Sequence, residues 1–126
     1  WKEDKEKMKQ PKRGEIYFLD FNPSKGREIK GSHPALVIQN DIGNKASNLT
    51  IVAAITSNLR VSELPVGVII TPEESGLSHK SVIHLGQIYT IDKERLENFV
   101  SMLPKNKMVE VDKALEISFG LREFWK

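Results

Sequence analysis

The chain contains no cysteine in 126 residues. That excludes disulfides, thiolate metal sites and a cysteine nucleophile together, and it fits a reducing compartment. No apolar run approaches the ~18 residues that a membrane-spanning helix needs, and the first residues, "WKEDKEKMKQPK", hold no apolar stretch resembling a signal peptide. Charge of one sign is also missing: the net charge is +2 and the isoelectric point about 8.8, which admits nucleic acid as a partner without demanding it. The phosphate-cradling G-x-x-x-x-G-K-[ST] loop and the H-E-x-x-H zinc motif are both absent. The three histidines, His33, His79 and His84, are scattered without ligand spacing, so neither a metal nor another cofactor is expected.

What is present is a series of short apolar runs cut by turn residues. "EIYFLDF" reads as a strand and "NPSKG" as a turn. Further strands are expected at Ala35 to Gln39, Leu49 to Ser57, Val66 to Thr71 and Ser81 to Ile91. "NDIGNKASN" reads as a loop, and "DKERLENFVSML" as a helical turn followed by a strand. Gly86, inside the run "SVIHLGQIYTI", marks a bulge, a bend or close approach of a ligand. From Pro104 to Phe119 the spacing of Met108, Val111 and Leu115 becomes helical, with Gly120 placed to stop the helix. The fold expected is mainly β (α+β), a small β-barrel with a C-terminal α-helix. A charged arm (residues 1–12) precedes the domain (13–121), and a short tail (122–126) follows it. The chain of 126 residues is the size of one domain and long enough to bury a core.

The stretch "GREIKGSHPALVIQ" concentrates acid and base chemistry ahead of an apolar strand. RNA carries its own nucleophile, the 2′-hydroxyl. A catalyst must supply a base for that proton, an acid for the leaving 5′-oxygen, and donors for the phosphate oxygens. His33 can exchange a proton near neutral pH, and Pro34 restrains its backbone. Glu28 can act as a base or orient one, and Arg27 and Lys30 can hold phosphates. Alternation places Thr56 on one face of its strand with Thr50, Val52 and Ala54, so its hydroxyl stands at the strand's mouth. Each of these also has an ordinary reading as a solvated loop charge, a loop imidazole or a strand-end hydroxyl. For His84 the default is a satisfied histidine at the core or barrel rim.

In order and spacing, "KRGEIYFLDFNPSKGREIKG", "HPALVIQNDIGN", "LTIVAAITS", "QIYTIDKERL" and "VDKALEISFGL" resemble the MazF/PemK toxins of bacterial toxin–antitoxin modules, over Lys12 to Leu121. The resemblance implies an SH3-like β-barrel with a C-terminal helix, a cytoplasmic homodimer, and a metal-independent, sequence-specific endoribonuclease. Its substrate would be single-stranded mRNA, cut to a 2′,3′-cyclic phosphate or 3′-phosphate and a 5′-hydroxyl so that translation stops. A cognate antitoxin would block the RNA groove. Thr56 matches the family's catalytic threonine and Glu28 an acidic residue of the first loop. The family's catalytic arginine is replaced by His33, and Gly86 stands where members often carry an acid. His84 occupies a position where one branch has a functional arginine. The site expected is therefore His33, Thr56 and Glu28 for catalysis, with Arg27, Lys30, Ser57, His84 and Gln87 for RNA binding. His33 is expected as base or acid, and the cut sequence is expected to differ from that of close relatives. Two other readings stand beside this one. The first is a gyrase-inhibiting toxin of the same fold, to which Phe124 and Trp125 leave an opening. The second is a catalytically inactive RNA- or peptide-binding module.

Overall fold

A computed structural model describes residues 10–123. The expectations for the charged arm before residue 10, and for Phe124 and Trp125, lie outside the described residues. Among these, six strands form one antiparallel sheet in the order β4-β5-β3-β2-β1-β6. The strands are β1 Glu15–Asp20, β2 Ser32–Val37, β3 Leu49–Thr56, β4 Gly67–Ile70, β5 Ser81–Asp92 and β6 Phe99–Met102. β4 and β6 are the sheet's edges, so the expected barrel takes the form of a curled half-barrel. Helix α3, Lys105–Ser118, packs on β4 and β5. It begins after Pro104 and ends before Gly120, close to the bounds that proline and glycine set in the sequence.

The period-2 alternation of the strands splits the core in two. Ile16, Leu36, Ala53, Ile55 and Leu85 face α3 and pack with its Val111 and Ala114. Leu19, Phe21, Ala35, Val37, Val52 and Ala54 point to the other face and pack with Ile91 and Leu96. Removing such a side chain from water contributes about 1.5–3 kcal/mol each, so a one-residue slip of β2 or β3 is strongly opposed.

The "NDIGN" segment departs from its loop reading: Asp41–Ala46 form a short helix, α1. Asn40 caps it by accepting the Gly43 N–H at 2.8 Å. Asn44 is buried, and its side-chain oxygen accepts from the Thr50 hydroxyl at 2.7 Å and the Gln39 amide at 3.0 Å. Satisfied burial of that amide outweighs the poor helix propensity of Asp, Gly and Asn. A second short helix, α2 at Pro72–Ser75, follows β4 and carries a capping box between Thr71 and Glu74.

Two irregularities position the functional region. The first is the loop between β1 and β2, which includes a cis Asn22–Pro23 bond. The second lies in β5. Ala53 pairs with Ile88 but Ala54 pairs with His84, which leaves Leu85, Gly86 and Gln87 without partners on β3. This is the bulge that Gly86 signals in the sequence. It interrupts the period-2 alternation along β5.

Candidate active site

In the β2–β3 pair Ala35 lies opposite Ala54, Leu36 opposite Ala53 and Val37 opposite Val52. His33 and Thr56 each lie two residues beyond the Ala35–Ala54 pair toward the mouth of the sheet, and alternation gives them the same face as that pair. Both residues line one cleft of about 220 Å³, together with Ser57 and His79. The lining also includes Phe18, Pro34, Ile55 and Leu77, of which Ile55 and Leu77 belong to the core on the α3 side, so the cleft lies at the strand ends where the two faces meet.

The hydrogen bonds at these residues fix what each atom can do. His33 Nε2 lies 2.8 Å from the Lys30 carbonyl oxygen. A carbonyl only accepts, so Nε2 carries the proton and donates, and Nδ1 remains the acceptor of the neutral ring. Phe21 packs edge-on against the imidazole at 6.5 Å. Thr56 Oγ1 accepts the Asn58 N–H at 3.1 Å, a local turn that fixes the oxygen and leaves its own proton free to donate.

The other predicted residues fall outside this cleft. Glu28 is exposed, and its carboxylate accepts the Lys25 N–H, closing the turn of the β1–β2 loop. The Arg27 and Lys30 side chains are exposed on the same loop. Gln87 Oε1 accepts from the Ile29 N–H at 2.8 Å and from the Tyr89 hydroxyl at 2.9 Å, so its amide ties the bulge to the loop. Burial, then the nearby Glu28 charge, push the Tyr89 hydroxyl above its ordinary value. Phe21 packs against Tyr89 at 5.0 Å as well as against His33, so one buried ring joins the loop anchor to the cleft.

His84 is half-buried on β5, opposite Ala54 and Gly67. Its Nδ1 accepts the Gly86 N–H at 3.0 Å, and burial lowers its pKa. A Cβ added at Gly86 would lie 2.7 Å from His84 Cε1. The His84 imidazole folds over Gly86, so a side chain at that position would require the ring to move. His79, exposed in the loop before β5, shares the cleft with His33 and was not among the predicted site residues. Nothing in its neighbours Ser78 and Lys80 signals that placement. Among the described residues no group of three or more His, Cys, Asp or Glu could hold a metal ion, and no helix is long and apolar enough to cross a membrane.

Residues 12–119 match the family described as PemK-like, MazF-like toxin of type II toxin-antitoxin system. The chain belongs to this toxin family. Endoribonuclease EndoA of Bacillus subtilis (strain 168) is 48% identical over 113 residues, 90% of this chain and 97% of that protein. Endoribonuclease MazF of Staphylococcus epidermidis is 45% identical over 113 residues, 90% of this chain and 94% of that protein. A crystal structure of MazE-MazF from Deinococcus radiodurans superposes with a TM-score of 0.70 at 25% identity, covering 90% of this chain and 98% of that one. The half-barrel with its terminal helix is thus the fold of MazF toxins.

Proposed function

We propose that this chain is the endoribonuclease toxin of a type II toxin–antitoxin pair, and that it cuts single-stranded mRNA by transesterification without a metal ion. The observation that carries the reading is the cleft shared by His33 and Thr56, in a chain nearly half identical to two proteins named endoribonucleases. His33 Nδ1 takes the proton of the 2′-hydroxyl. The 2′-oxygen attacks phosphorus while the Thr56 hydroxyl donates to a non-bridging oxygen, where charge builds in the transition state. The bond to the 5′-oxygen breaks, leaving a 2′,3′-cyclic phosphate and a 5′-hydroxyl. Arg27 and Lys30, exposed on the loop beside the cleft, contact flanking phosphates, and Ser57 adds a hydroxyl at the cleft. Glu28 acts through the shape of that loop, whose turn it closes.

An imidazole in place of the family arginine gives up the permanent charge and two-pronged phosphate grip, and supplies a proton acceptor instead. A cognate antitoxin covers this face and excludes RNA; that a toxin of this fold pairs with an antitoxin is supported by the MazE-MazF structure. The toxin acts as a homodimer in the cytoplasm. Gly86 presents backbone where a carboxylate would accept from base amines, so the cut sequence differs from that of close relatives. Mapping the ends left on a mixed RNA pool tests the reading. It predicts cyclic-phosphate and 5′-hydroxyl ends at a short common sequence in the presence of a chelator. RNA that is bound and left whole would favour the inactive binding module instead.

A further inference from the structure

Two histidines line the cleft, and the reaction proposed above needs two proton-transfer groups. In an in-line displacement the entering 2′-oxygen and the leaving 5′-oxygen lie on opposite sides of phosphorus. One ring nitrogen cannot serve both. His33 offers only one to substrate, because its Nε2 is engaged by the Lys30 carbonyl. The acid must come from elsewhere in the cleft.

The lining narrows the choice. Phe18, Pro34 and Ile55 carry no exchangeable proton. Thr56, Ser57, Ser78 and Ser81 offer hydroxyls, which can donate hydrogen bonds but are poor proton donors at neutral pH. His33 and His79 are the only ionisable side chains lining the cleft among the described residues, with the Lys80 side chain next along the loop. The backbone at His79 is held, since its carbonyl accepts from the Ser81 hydroxyl at 3.0 Å, while its side chain is exposed. It comes from the loop before β5, whereas His33 comes from β2, so the two histidines line the cleft from different elements.

We propose that His79 is the general acid of this ribonuclease, an inference that rests on the endoribonuclease reading. As the P–O5′ bond breaks, the His79 imidazolium gives its proton to the 5′-oxygen, and the neutral ring remains. The proton removed from the 2′-hydroxyl stays on His33, so the two imidazoles exchange protonation states in each turnover. Solvent resets them when the products leave.

The test uses two versions of one RNA, with oxygen or sulfur at the 5′ bridging position of the cleaved bond. A thiolate leaves without a proton, so the sulfur substrate does not need the acid. His79→Ala, on an exposed loop position, is compared with wild type on both. The expected result is a loss of about 10²- to 10⁴-fold in kcat on the oxygen substrate, with little change on the sulfur one. Equal losses on both substrates would overturn the acid role and leave His79 a binding group, and no loss on either would overturn it as well. His33→Ala should lose activity on both. A wild-type protein that cleaves neither substrate would sink the ribonuclease reading itself, an outcome distinct from an active wild type with an indifferent His79.

Discussion

The side-chain oxygen of Gln87 holds the backbone N–H of Ile29 at 2.8 Å, joining the bulge of β5 to the loop between β1 and β2. The same oxygen receives the Tyr89 hydroxyl, and the Gln87 amide nitrogen points toward the Arg27 carbonyl at 3.5 Å. The loop that carries Arg27, Glu28 and Lys30 is thus set by a residue far along the chain. Gln87→Ala removes that anchor. Two net hydrogen bonds of about 1 kcal/mol each are lost, which predicts a KM for RNA raised by roughly five- to thirtyfold with a smaller change in kcat. Steady-state kinetics on a defined oligonucleotide decide it; an unchanged KM would show that the loop keeps its shape without the anchor.

His84 makes the stability of the fold sensitive to mild acid. Burial holds its pKa below the ordinary value, and its Nδ1 must be unprotonated to accept the Gly86 N–H. The unfolded chain therefore binds this proton more readily. The contribution is full above the unfolded value of about 6.5 and declines as pH falls through it, until the folded form also titrates. His84→Leu has no such proton. The melting temperature of wild type should drop more than that of His84→Leu between about pH 7.5 and 5.5, a range bracketing that value. Parallel curves would contradict the assignment.

Glu74 works in the opposite direction. The Thr71 backbone N–H, received at 2.9 Å, lowers its pKa, and Lys107 adds to the effect. A carboxylate favoured in the folded state stabilises above its unfolded value, and that stabilisation is lost as pH falls through the folded one. Glu74→Gln should be less stable than wild type at pH 7, by no more than about 1 kcal/mol for a single capping contact. Denaturant midpoints should converge only as pH falls through the folded-state pKa of Glu74, which lies below the ordinary Glu value of about 4.3, since only there are both side chains neutral. A gap that persists in acid would point to shape rather than charge.

Much of this architecture is written locally. Short apolar runs bounded by Pro, Gly and Asn mark the strands, and Pro104 and Gly120 bracket α3 because the two residues bias helix ends by backbone geometry alone. Gly86 announces its bulge for the same reason. α1 is hidden because its helix depends on the buried Asn44 amide, whose partners Gln39 and Thr50 lie outside the helix. Thr56's face follows from alternation, but its meeting with His33 depends on the register between two strands. That register is set by burial of both sheet faces, not by either segment. His79 is more remote still: its loop meets the mouth of β3 only once β5 has paired, and no residue beside it carries that information. Glu28 and Gln87 show the converse. Their chemistry suggests substrate contact, while their bonds are to the loop's own backbone.

The most direct test of the account is end-labelled RNA incubated with wild type, His33→Ala and Thr56→Ala in the presence of a chelator. Wild type should leave 2′,3′-cyclic phosphate ends, and each substitution should lower the rate by about 10²-fold or more while RNA binding persists. Cleavage by His33→Ala at the wild-type rate would contradict the claim that this imidazole and the hydroxyl opposite it break the phosphodiester.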